Sequence, residues 1–271
     1  MLAGDDNWGG SGESAIMHVH LPALSGLVLV HFLVFARTGA MVMMLPAIGE
    51  TSVPPLVRLV LALAISLCLA PVVASAYPQT EPPNILALGL LVAEEITAGI
   101  LVGMMARIIM SALQVAGTLI ATQTGLAYAQ TVDPTSQGEQ SAVVGNFLSL
   151  LGVVMIFSTN LHHLAIAAVA GSYHLIGPGA ALPTGDMAEL VIRLVSGSFA
   201  LGFQLAAPFL VFGFALSVGI GVLARMMPQL QIYFVAMPLN IMVGFLLMAL
   251  IIGGMMTLFL TYYAGQMGNF L

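Results

Sequence analysis

Two adjacent carboxylates, Glu94 and Glu95, stand in an otherwise apolar stretch between Ile85 and Met105. An ionised carboxylate in such a setting is costly unless it pairs with a cation, relays protons or reaches water. Arginines occur in similar surroundings, at Arg37, Arg58 and Arg107. Charge pairing between helices, among Arg37, Arg58, Glu94 and Glu95, is the simplest use of these groups. A small secondary transporter, with Glu94 and Glu95 coupling to protons, is the alternative chemistry. A wetted interface is the third.

A second constellation follows on the same stretch. At 100° per residue, Arg107, Ser111, Gln114, Thr118, Thr122 and Gly125 fall within a sector of about 80°. Glu94 and Glu95 do not share this face. The intervening residues, among them Ile108, Ile109, Leu113, Val115 and Leu119, are apolar. Lipid cannot satisfy such a stripe, so it must face water or protein. It reads as the lining of a conduit or as a seam between subunits. The plainer reading is hydrogen bonding between helices of one bundle. Beyond it, Gln123 to Gln130 leads into Asp133-Pro134-Thr135-Ser136, a turn by its chemistry. A polar tip of this kind between apolar arms can plug or line a passage.

Other chemistry is poorly provided for. The histidines fall at His18 and His20, His31, His162 and His163, and His174. They lack the further ligands and supporting acceptors of a zinc site, so no metal and no cofactor is expected. Cys68 reads as a small buried hydrophobe. No serine–histidine pair or phosphate-binding loop is in a usable context, and an enzyme is not expected. The methionines cluster at Met41 to Met44, Met104 to Met110, Met226 with Met227, and Met255 with Met256. Such adaptable side chains fill irregular contacts or line a surface that accommodates changing partners.

These groups must be held by membrane helices. The chain has 271 residues, 60% hydrophobic and 6% charged, with a mean hydropathy of +1.08. Soluble domains carry about a quarter charged residues, so the composition specifies an all-α polytopic membrane protein. The net charge of −6 argues against nucleic acid. Residues 1–20 read as a flexible acidic tail, 21–263 as one helical domain, and 264–271 as a short end. The first two apolar runs, about Leu21–Pro46 and Leu56–Ala76, form a hairpin around the Gly49–Pro55 elbow.

The following runs are too long. From Asn84 to Asp133 there are 50 residues without proline, about 75 Å as one helix against a hydrocarbon core of about 30 Å. The stretch must break, at Gly99, Gly103, Gly117 or Gly125, or extend beyond the bilayer. Ala142 to Ile176 is a further proline-free run of 35 residues. Asp186 is placed to cap the next helix, with Glu189 in the capping-box position, and Pro208 is expected to kink it. The last two apolar runs are separated by Leu223 to Pro238, a turn on Arg225, Met226, Pro228 and Gln229. Its bulky Ile232, Tyr233, Phe234 and Val235 suit a loop that docks on protein.

Three motifs carry a resemblance. Leu223-Ala-Arg-Met-Met-Pro-Gln-Leu-Gln-Ile232, followed by Pro238-Leu and Val243-Gly, resembles the Arg-Met-x-Pro-Gln loop of the FliR family of type III export-gate subunits. Gln123-Thr-Gly-Leu-Ala-Tyr-Ala129, running into Asp133-Pro134, resembles that family's Gly-Leu/aromatic stretch. Arg37-Thr-Gly39, with Pro46, Gly49, Pro54, Pro55 and Arg58, is similar to its first hairpin. The order holds from about residue 21 to 262. The resemblance implies a fold like FliP and FliQ joined together, in a helical channel assembled with FliP and FliQ homologues. Unfolded export substrates would cross the bacterial inner membrane through it, at the flagellar basal body. Membrane lipid would surround part of the assembly. The stripe from Arg107 and the stretch Gln123–Gln130–Asp133 would lie near the constriction. The Arg225–Pro238 loop would lie at the cytosolic entrance, beside an FlhB-type switch protein.

Overall fold

The computed structural model describes residues 21–77, 84–126, 143–179, 184–227 and 232–269. All regular elements among the described residues are helices: α1 (Leu21–Met44), α2 (Pro55–Val73) with a 3₁₀ turn at Ala74–Ala76, α3 (Ile85–Gln123), α4 (Val143–Ser158), α5 (His162–Leu175), α6 (Thr184–Met226) and α7 (Ile232–Gly268). Five of these helices are long and apolar enough to cross a membrane, or six if α4 and α5 form one bent span. The all-α expectation holds.

Local chemistry explains the ends. Pro54 and Pro55 open α2, where a missing N–H costs nothing. The Asn84 side chain accepts from the Ala87 amide at 2.8 Å and caps α3. The long proline-free stretch resolves as one unbroken helix of 39 residues, about 58 Å at 1.5 Å per residue. Of the four glycines expected to break it, only Gly125 lies at its end, with φ of 78°. Gly99, Gly103 and Gly117 remain inside it as points of close approach.

The second long run does break. Asn160 adopts φ of 60°, and α4 and α5 meet at 77°. An asparagine tolerates the left-handed region where most side chains do not, so the bend needs neither glycine nor proline. One smaller expectation changes as well. Helix α6 starts at Thr184, which places Asp186 in the first turn instead of at the cap. There its carboxylate still meets the positive end of the helix dipole. The same helix runs on through Pro208, the site of the expected kink.

Helix α3 is the spine, packing against α1, α4, α5, α6 and α7. Its partners are staggered along it. Arg37 and Ala40 of α1 lie over Gly99, and Met41 and Met44 over Gly103, so α1 runs parallel to the first half of α3. Val144 and Gly145 of α4 sit on Gly117, while Gly152 reaches Leu113 and Met110, so α4 runs antiparallel over the second half. Helix α6 runs parallel, with Gly202 at Ala112 and Val115 and Gly213 at Gln123. Helix α7 returns antiparallel, with Gly244 against Thr124. Small residues let the backbones approach closely, the usual basis of helix packing where lipid replaces water.

The stagger leaves one arm uncovered. Past Gly213, α6 exposes Phe214, Val218, Val222, Leu223 and Met226, and α7 exposes Met237, Leu239, Met242, Phe245 and Leu246. Pro238 lies inside α7. The turn is therefore shorter than the Leu223–Pro238 loop read from the sequence, since helix runs to Met226 and resumes at Ile232. Pro238 is the seventh residue of α7, past the first turn, and removes the N–H that would bond the Phe234 carbonyl.

Candidate functional site

Burying a guanidinium requires a partner for its charge and its five N–H groups. Arg37 of α1 has both. Its side chain is 1% exposed, and Glu95 of α3 is fully buried. Nε donates to Glu95 Oε2 at 2.6 Å and Nη2 to Oε1 at 3.2 Å, a bidentate pair. Nη1 donates to Ser172 Oγ at 3.0 Å, and Nη2 also to the Ile176 carbonyl at 3.0 Å. The guanidinium carbon lies 3.8 Å from the centre of the Tyr173 ring, a cation–π contact. The Tyr173 hydroxyl shares a hydrogen bond with that of Tyr77, at 3.2 Å. Arg37 thus joins α1, α3 and α5, and Tyr173 links this cluster to the end of the first hairpin.

The other two residues of the expected charge set are not in this cluster. Glu94 is half-buried, and its Oε2 has no hydrogen-bond partner among the described residues. Arg58 has only a contact of Nη1 with Met43 Sδ at 3.9 Å, and its buried Nε has no partner among them. Sequence reading missed Ser172, Tyr173 and Tyr77. A Ser-Tyr pair closing an apolar run was the available signal. Cys68 also departs from expectation, being exposed on α2 instead of buried.

The polar stripe forms one open face of α3. Arg107, Ser111, Thr118 and Thr122 are exposed, and Gln114 is half-buried between them. The hydroxyls turn back on their own helix: Ser111 donates to the Ile108 carbonyl at 2.6 Å, Thr118 to Val115 at 2.8 Å and Thr122 to Leu119 at 2.7 Å. Gln114 Nε2 donates to Asn146 Oδ1 at 3.2 Å and to Ser149 Oγ at 2.9 Å. These two α4 residues widen the polar face and were not foreseen. Their i, i+3 spacing in an apolar helix was the readable cue.

At the end of α3 the half-buried Gln123 is gripped from two sides. Asn240 Nδ2 of α7 donates to its carbonyl at 3.1 Å. Gly213 of α6 leaves room for its side-chain amide, which would otherwise meet a Cβ. The helix's last carbonyls lack intrahelical partners, so Asn240 supplies a donor where one is needed. Gln130 and Asp133 lie outside the described residues. At the arm's tip Arg225 and Met226 are exposed in the last turn of α6, where a cation suits the negative end of the dipole. Pro238 is exposed within α7. Pro228 and Gln229 lie outside the described residues. No cluster of three or more His, Cys, Asp or Glu side chains suited to a metal ion occurs among the described residues.

Comparison with known proteins finds relatives over most of the chain. The family described as bacterial export proteins, family 1, matches residues 28–265. The flagellar biosynthetic protein FliR of Caulobacter vibrioides is 42% identical over 227 residues, covering 84% of this chain and 90% of that protein. FliR of Escherichia coli is 30% identical over 222 residues, 81% of this chain and 83% of that protein. FliR of Bacillus subtilis is 29% identical over 223 residues, with coverages of 80% and 83%.

Proposed function

Because the chain belongs to the FliR family of bacterial export proteins, we propose that it is a channel-forming subunit of the flagellar type III export gate. In this reading it assembles with FliP and FliQ homologues in the bacterial inner membrane, at the flagellar basal body, and passes unfolded export substrates.

The stagger along α3 carries the reading. A helix of about 58 Å with partners displaced along it does not match a bilayer core of about 30 Å. It suits a subunit whose helices extend along a channel wall. The uncovered faces support the same conclusion. A stripe bearing Arg107 and Gln114 is expensive against lipid, whereas water in a passage or a neighbouring subunit satisfies it. In this arrangement the upper stripe, Thr118, Thr122 and Gln123, continues toward Gln130 and Asp133 along the passage. The apolar arm ending at Arg225 reaches an FlhB-type protein at the cytosolic entrance.

The transporter alternative loses support from one contact. Glu95 is held by a bidentate arginine, which leaves Glu94 as the one intramembrane carboxylate of the pair not engaged in that bridge. Co-expression with FliP- and FliQ-like proteins tests the assignment, with a stable mixed particle as the expected product. A chain that purifies only alone, as a homogeneous particle, would sink it.

A further inference from the structure

We infer that Arg107 anchors a helix of another subunit, one that presents a carboxylate opposite its guanidinium. The inference rests on the assembly reading above and narrows it, giving the lower end of the α3 stripe to a subunit seam instead of the passage.

Charge accounting leads there. Arg37 is taken by Glu95, and Arg193 by Glu189 at 2.6 Å. Arg107 is exposed and meets no carboxylate among the described residues. It also lies deep on its helix, 22 residues after Ile85 and 16 before Gln123. At 1.5 Å per residue these are about 33 Å and 24 Å of axis, so Arg107 belongs to the body of the helix and not to either terminal turn. Glu94, the carboxylate of α3 left outside the Arg37 bridge, is 13 residues earlier on the same helix. It therefore points about 220° away and cannot turn to Arg107.

The rest of the stripe says what kind of surface this is. Ser111, Thr118 and Thr122 already give their protons to carbonyls of α3, and Gln114 gives its own to Asn146 and Ser149. What remains outward is a ridge of small groups at helical spacing, on which a second helix can lie closely, with one unsatisfied cation. A planar guanidinium matches a carboxylate in two parallel hydrogen bonds. The complementary partner is an apolar helix with one Asp or Glu.

The test uses the full chain, co-expressed with the other export-apparatus subunits. A photoreactive residue in place of Ser111, with Arg107 intact, should crosslink to another subunit and not to a stalled substrate. Arg107→Glu should lower the yield of co-purified complex about tenfold or more, and Arg107→Lys much less. Selection for restored motility in Arg107→Glu cells should return Asp or Glu changed to Lys or Arg in a different subunit. The inference is overturned by adducts to substrate, to lipid alone or to a second copy of this chain. Suppressors at Asp133 or Glu139 of this chain would also overturn it, as would an Arg107→Leu protein that assembles normally. If the unsubstituted chain captures no other subunit, the assembly reading itself fails. That result is distinct from a wild-type complex that ignores Arg107.

Discussion

Removing one member of the Arg37–Glu95 pair should destabilise the chain far more than removing both. Glu95→Leu leaves a fully buried guanidinium with only Ser172 Oγ and the Ile176 carbonyl for its N–H groups. Arg37→Leu leaves a buried carboxylate and strands the Ile176 carbonyl. Losing one partner of a buried pair typically costs about 3–5 kcal/mol, whereas replacing both by apolar groups is often close to neutral. The double substitution still lacks a donor for Ile176, an unpaired polar group worth about 1–3 kcal/mol. The two single costs sum to about 6–10 kcal/mol, so the coupling is several kcal/mol. In detergent each single variant should melt about 6–20 °C below wild type, at 2–4 °C per kcal/mol for a chain of this size, and the double variant should recover much of the difference. Single and double effects that add within about 0.5 kcal/mol would refute the clamp, since independent sites behave that way.

Three further outcomes follow from the geometry. Gly103→Leu drives a side chain into Met44 and the Met41 backbone, and should cost at least the 1–3 kcal/mol or so of an overpacked core. Detergent melting checks it, with Gly219→Leu, which meets open space, as the control. Arg225→Ala and Pro228→Ala should reduce secretion severalfold without lowering co-purification with partner subunits. Loss of assembly instead would make the tip structural. A cysteine at Thr118, exposed on the upper stripe, should crosslink to a substrate stalled in transit, and consistent failure beside a positive control would remove it from the passage.

Much of the architecture was legible because membrane helices announce themselves by apolar length. The first hairpin, its proline-started second helix and the excess length of α3 all follow from residue type and spacing. The stripe was legible for the same reason, as it depends only on the period of one helix. What stayed hidden depends on contacts distant in sequence. Glu95 and Glu94 are neighbours in identical local settings, and only the position of α1, 58 residues away, decides which meets Arg37. The bend at Asn160 was obscured because no glycine or proline marks it. The arm's turn was overestimated because Pro238, a strong loop signal by itself, sits within the opening turns of a helix.

The clamp also bears on the order in which the chain is made. Arg37 emerges from the ribosome 58 residues before Glu95 and 135 before Ser172. At about 5–20 residues per second the first interval lasts roughly 3–12 s. Throughout it α1 carries an unmatched cation whose insertion costs about 2.5–3.5 kcal/mol. The first hairpin therefore carries an unmet charge as long as it stands alone. That charge is matched only when the spine arrives, so the final seating of α1 is coupled to that of α3.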